Sequence, residues 1–250
     1  MGHRVFPHGE LEPLTTDLWR VRGRLSIPLH RNMVVWRTPD ERLLLHSVVA
    51  LDAVGMGALE QLGQPGIAIV PSSLHLLDAA YYARRYPKMK FIAPSAAKSQ
   101  IGARVELFGT CEEVLPELGI GSHMVPGTRA PECVYDLPTP GGRTLVFNDV
   151  LGGPNAHVEG APGSALVRRL AVPNNTVGFA RIYRWRNLRD VESVRALLGE
   201  LAQLPDVGLA TFSHGEPVRE DVSEVLLSVS RDSPRRSSAT QDAKNSHSRP

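Results

Sequence analysis

No run of apolar residues in this chain approaches the roughly 20 needed to cross a bilayer. Residues Met1 to Glu10 also lack the apolar core of a secretory signal. Together these absences make a cytoplasmic, membrane-free protein the expectation. Cysteine is nearly absent: Cys111 and Cys133 stand alone, which points to two free thiols in a reducing compartment and not to a disulfide framework. Lysine is confined to Lys88, Lys90, Lys98 and Lys244, with arginine supplying the rest of the 28 basic residues; we read that as a genomic bias. The formal net charge of +2 is too small to imply nucleic acid, and the basic residues read as dispersed, without an aromatic-interleaved stripe. Gly-rich phosphate loops, Cys-x-x-Cys pairs and Gly-x-Ser-x-Gly elbows are missing as well, so nucleotide, zinc-finger and serine-hydrolase readings lose support.

What is present describes an ordinary globular chain of 250 residues, 42% hydrophobic and 22% charged, long enough to bury about three-quarters of its unfolded surface. Residues 1–16 read as an arm, 17–229 as one domain and 230–250, with no apolar periodicity, as a disordered tail. Strands are expected at 18–22, 33–37, 43–49, 66–70 and 91–93. Helices are expected at 52–62, opening near Ser72 or Ser73, and at 95–101. The middle of the chain changes character. Short apolar pieces at 105–107, 119–125, 133–137 and 143–150, divided by turn residues, read as an antiparallel meander. Residues 151–177 are too long for a simple connection and read as a lid or functional loop. A helical stripe over 188–204, a strand at 207–212 and a helix at 216–227 complete the pattern. Alternating strands and helices at both ends, with a meander between, predict an α/β four-layer αββα sandwich.

Polar residues stand where the apolar strands run out, the place where layered α/β proteins gather ligands. His75 and Asp78 follow strand 66–70, Asp149 follows Phe147-Asn148, and His214 precedes Gly215. Each has a structural reading beside the functional one. His75 suits a first helical turn, Asp78 a local hydrogen bond at i+3, and Asp149 a turn. His214 has the fewest such roles open to it. His46 reads as a hydrogen-bonded core histidine, and His123, ahead of Pro126-Gly127, would reach the site only if that loop is short.

In order and spacing, Asp17-Leu18-Trp19, strand 43–49, the strand-loop-helix at 66–86, Phe147-Asn148-Asp149 and Phe212-Ser213-His214-Gly215 resemble the metallo-β-lactamase fold over about residues 12–228. Pro71 to His75 and Arg85-Tyr86-Pro87 are most similar to a bacterial branch of unknown function with a degenerate metal-binding motif. The resemblance implies a His-x-His-x-Asp-His motif after the second large strand, a third-strand His after Pro-Gly, a bridging Asp and a final His. If His75 is the last His of that motif, the earlier ligands fall on Val70, Ser72 and Leu74. If it is the middle His, Asp78 takes the last position. Thr128 stands in place of the third-strand His, Asp149 fits the bridging Asp and His214 the final His. The implied centre holds at most one Zn or Fe ion on His75, Asp149 and His214, with Asp78, or a residue of the 151–177 loop, as base or substrate contact. That makes a metal-dependent hydrolase acting on a small molecule. The alternative is a non-catalytic relative, its site lost, serving as a binding or scaffold module. Oligomeric state stays open.

Overall fold

The computed structural model describes residues 3–160, 162–173 and 176–231. Eleven strands alternate with eight helices: β1 (Glu12–Pro13), β2 (Leu18–Arg24), β3 (His30–Arg37), β4 (Arg42–His46), α1 (Ala53–Leu62), β5 (Gln64–Ile69), α2 (Ala79–Arg85), β6 (Lys90–Ala93), α3 (Lys98–Gly102), β7 (Gly109–Thr110), α4 (Cys111–Val114), β8 (Gly121–Met124), β9 (Cys133–Thr139), β10 (Gly142–Phe147), α5 (Ser164–Ala171), α6 (Arg181–Arg186), α7 (Val191–Leu201), β11 (Val207–Phe212) and α8 (Val222–Arg231). β1 to β7 form one sheet in chain order, and β11-β10-β9-β8 form the second.

Period-two alternation sorts the apolar residues into layers. In β3 and β4, Met33, Val35, Leu43 and Leu45 turn outward onto Met56 and Leu59 of α1 and Tyr82 of α2. Their neighbours Val34, Trp36 and Leu44 face the other way, onto Cys133, Tyr135, Leu137 and Val146 of the second sheet. Val134, Leu145 and Phe147 in turn face Val194, Leu198 and Leu201 of α7 and Leu226 of α8. Helix, sheet, sheet, helix: the αββα sandwich follows from which residue of each pair is apolar on which side.

Several boundaries differ from expectation for visible reasons. The helix expected at Ser72 begins only at Ala79, because the Ser72 hydroxyl accepts from Leu74 N (3.3 Å) and closes a turn instead. The strand expected at 105–107 is absent; Val105 N donates back to Ile101 O of α3 (3.0 Å), and its side chain packs into the first core. The helix expected from Glu216 starts at Val222, since Val218 exchanges two backbone hydrogen bonds with Ala210 (2.8 and 2.9 Å) and extends the sheet. The stripe over 188–204 narrows to α7, whose N-cap Asp190 accepts from Ser193 N (3.0 Å). The long loop holds one short helix, α5, and α6 follows just beyond it. The arm runs along β2, with Gly9 N donating to Arg22 O and Arg24 N to Pro7 O. From residue 232 the expected tail lies outside the described residues. No described helix is long and apolar enough to cross a membrane.

Candidate metal centre

β4 and β5 are parallel, as are β10 and β11, so within each pair the carboxyl ends coincide. Four polar turns leave those ends. His75 sits buried in the turn after β5, its N–H donating to Ser72 O (3.1 Å). Asp149 follows β10 and His214 follows β11. Buried Asn148 ties the sheets together: its oxygen accepts from the Ser213 hydroxyl (2.9 Å) and its amide reaches Ser72 Oγ (3.4 Å). Asn32 of β3 holds the His214 turn by donating to Phe212 O (2.9 Å) and Gly215 O (2.8 Å). Gly215 has φ 105°, and a Cβ there would meet Gly153 O at 2.4 Å, so only glycine closes this turn.

His75, Asp149 and His214 converge, with one ligand atom from each lying within 4.8 Å of the others. Asp149 Oδ1 is 3.1 Å from His75 Nε2 and 3.4 Å from His214 Nε2. Two donors sharing a tetrahedral Zn²⁺ at about 2.0–2.1 Å stand about 3.3 Å apart. The tautomers add a second constraint. His214 Nδ1 faces the His30 carbonyl at 2.6 Å; a carbonyl only accepts, so Nδ1 carries the proton and the neutral ring turns a lone pair toward Asp149. Two acceptors facing each other need a proton or a cation between them. His75 is oriented from behind by the Ser47 hydroxyl, 2.7 Å from Nδ1. Burial works to raise the Asp149 carboxyl; in the metal-free protein, with cationic His75 and His214 beside it, their charges and hydrogen bonds outweigh burial and hold the group well below the usual carboxylate range. The donor set, two imidazoles and a carboxylate, fits a zinc or ferrous ion with an open position.

Solved structures show the same architecture. The FIM-1 metallo-β-lactamase from Pseudomonas aeruginosa, solved in a mono-zinc form, superposes with a TM-score of 0.58 at 11% identity, covering 90% of this chain and 96% of that one. A metallo-β-lactamase from Pontibacter korlensis gives 0.59 at 11% identity over 90% and 99%, and one from Hirschia baltica 0.56 at 13% identity over 90% and 99%. The chain has the metallo-β-lactamase fold. A scan against family models finds no match, and a search of curated proteins finds none either.

Within the metallo-β-lactamase fold, the structure separates the sequence-expected residues. Asp78 is not in the cluster. Its Oδ2 accepts from Arg31 and from Ala50 N (2.9 Å), and its Oδ1 faces His3 Nε2 (2.8 Å). Val70 and Ser72 are buried in the turn, while Leu74 is exposed. Thr128, in the third-strand position, bridges to Leu188. His123 pairs with Val134 within the sheet and is outside the cluster. His46 is a core residue lying against Tyr135 (5.4 Å between rings), but neither ring nitrogen has a partner among the described residues, contrary to the expected hydrogen bond. Burial, with the charge of His75 adding to it, pushes this ring down to about 3.

Two residues were not read from the sequence. Ser47, at φ 57°, gives Ser47–His75–Asp149 the connectivity of a catalytic triad, but its side chain is wholly enclosed and serves to aim the imidazole. Glu132 lies fully buried beneath Asp149. Its Oε2 accepts from Asp149 N (2.8 Å) and Val150 N (3.3 Å), and its Oε1 accepts from the Tyr183 hydroxyl. Burial, then the neighbouring Asp149 charge, pushes its carboxyl up to about 8. In the sequence Glu132 looks like a turn acid before a strand, and nothing links it to Tyr183 fifty-one residues away. A cleft of about 480 Å³ lies between the arm and β2, lined by Pro7, Arg22, Arg24, His30 and Glu159 and by none of the three cluster residues.

Proposed function

We propose that this chain is a metal-assisted hydrolase with a single-ion centre on His75, Asp149 and His214. The observation that carries the reading is the pair of lone-pair donors, His214 Nε2 and Asp149 Oδ1, held face to face at 3.4 Å. A bound divalent ion would supply a water acidified toward neutrality. The protein's part is orientation. Ser47 fixes His75, the His30 carbonyl fixes the His214 tautomer, and Glu132 fixes the backbone that carries Asp149. With three protein ligands the fold retains about half of what a two-metal centre needs, so a mononuclear site is the reading that its donor count supports.

Asp149→Asn tests it. The amide keeps the volume of the carboxylate while removing its charge and offering a donor to the cluster. Zinc titration of the metal-free protein by calorimetry is expected to show affinity reduced about 100-fold or more, at or beyond the roughly 10–100-fold cost of losing a partner that merely orients a ligand. Unchanged affinity in Asp149→Asn would remove this residue from the centre.

A further inference from the structure

Between Glu159 and Asp190 the chain carries six arginines, Arg168, Arg169, Arg181, Arg184, Arg186 and Arg189, and no lysine, aspartate or glutamate. Set against a net charge of +2 for all 250 residues, this is a local concentration that the chain-wide balance hides. All six are exposed. Among the described residues none of them forms an ion pair, whereas Arg20, Arg22, Arg24, Arg31, Arg42, Arg85, Arg143 and Arg195 each have a carboxylate partner.

Helix geometry gives this charge a direction. In α6 Tyr183 turns inward to Glu132, and Arg181, Arg184 and Trp185, at i, i+3 and i+4, share the opposite face. Trp185 is 77% exposed, an extreme value for the largest aromatic side chain. α5 packs against α6 and brings Arg168 and Arg169 to the same region. Exposed Arg129 joins from the other side, its N–H donating to Asn187 O (2.9 Å).

Guanidinium forks without carboxylate partners, around a solvent-facing indole, suit a flexible phosphate backbone with bases free to stack. An anionic membrane would also attract the charge, but it requires a continuous apolar face to insert. α5 has committed that face: Val167 and Ala171 pack on Leu29, Ala156, Val158 and Val172, leaving Leu166 as its exposed large apolar residue. We propose that the α5–α6 face binds single-stranded nucleic acid, the arginines on phosphates and Trp185 on a base. This departs from the expectation drawn from net charge, and it stands independently of metal binding.

The test is fluorescence anisotropy of a labelled 15-mer oligouridylate and its oligothymidylate counterpart with the full chain, between about 50 and 200 mM salt. Wild type is expected to bind with log K falling linearly against log salt, by about 0.7 per phosphate neutralised. Arg181→Gln/Arg184→Gln, both on the surface, is expected to weaken binding at least about tenfold and to flatten the slope by roughly 1.4. Trp185→Ala is expected to weaken it by about tenfold at any salt. His214→Ala is expected to bind as wild type, so loss of the metal reading would leave this one intact. Salt-independent or absent binding of both oligonucleotides would overturn the proposal. So would equal affinity in the double arginine variant, or binding only to phosphatidylserine-containing vesicles.

Discussion

Replacing Glu132 by alanine is expected to lower the unfolding free energy by roughly 3–5 kcal/mol, measured by urea denaturation. The carboxylate is the shared acceptor for Asp149 N, Val150 N and the Tyr183 hydroxyl, all inside the protein. Truncation orphans these donors, at about 1–3 kcal/mol for each fully buried one, and leaves a cavity besides. Tyr183→Phe, which removes a single hydroxyl, is expected to cost only about 1–2 kcal/mol. Glu132→Gln keeps the shape and an acceptor oxygen but cannot titrate. Because the folded carboxyl sits near 8, above its unfolded value of about 4.5, the native state holds a proton that the unfolded chain has released between those values. Stability of the metal-free protein should therefore fall as pH rises from about 4.5 to about 8, by at most about 1.4 kcal/mol per unit from this group. Asp149 works in the opposite sense, contributing stability above its unfolded value that is lost as pH falls. The Glu132→Gln variant should lose the first slope and keep the second. An alanine variant as stable as wild type would show that Glu132 does not hold the Asp149 turn.

Asp78→Asn is expected to cost a comparable amount, about 3–5 kcal/mol, while leaving metal content unchanged. Arg31 is almost entirely buried and Asp78 is the carboxylate it faces. Burial works to lower that guanidinium, and the Asp78 charge opposes it. Removing one partner of a buried pair leaves the other uncompensated. The same carboxylate also anchors Ala50 N and His3 of the arm, so one substitution loosens three elements. Denaturation and elemental analysis on one preparation separate the roles. A variant of normal stability that has lost metal would return Asp78 to the centre.

The four layers were legible because strand apolarity is a local property. Leu43 to Leu45 and Ile67 to Ile69 announce buried strands wherever they sit, and the parallel ends of β4–β5 and β10–β11 place His75, Asp149 and His214 together. What stayed hidden depends on contacts between distant residues. Ser47 gains its role from a left-handed backbone at the end of β4 and from His75, 28 residues on. Glu132 gains its own from a hydroxyl on α6. Asp78 was misleading for the same reason: i+3 spacing from His75 suggested a shared face, but the turn at Ser72 delays the helix and turns the carboxylate toward Arg31. The arginine face was concealed by averaging, since acidic residues elsewhere cancel it in the net charge.

The most direct test of the central reading is the metal content of protein purified without a polyhistidine tag, alongside His214→Ala. The three-ligand centre predicts about one equivalent of zinc or iron in wild type and less than about a tenth of that in the variant. Metal-free protein that folds normally, and gains no thermal stability from added Zn²⁺, would contradict it and leave a binding module built on this fold.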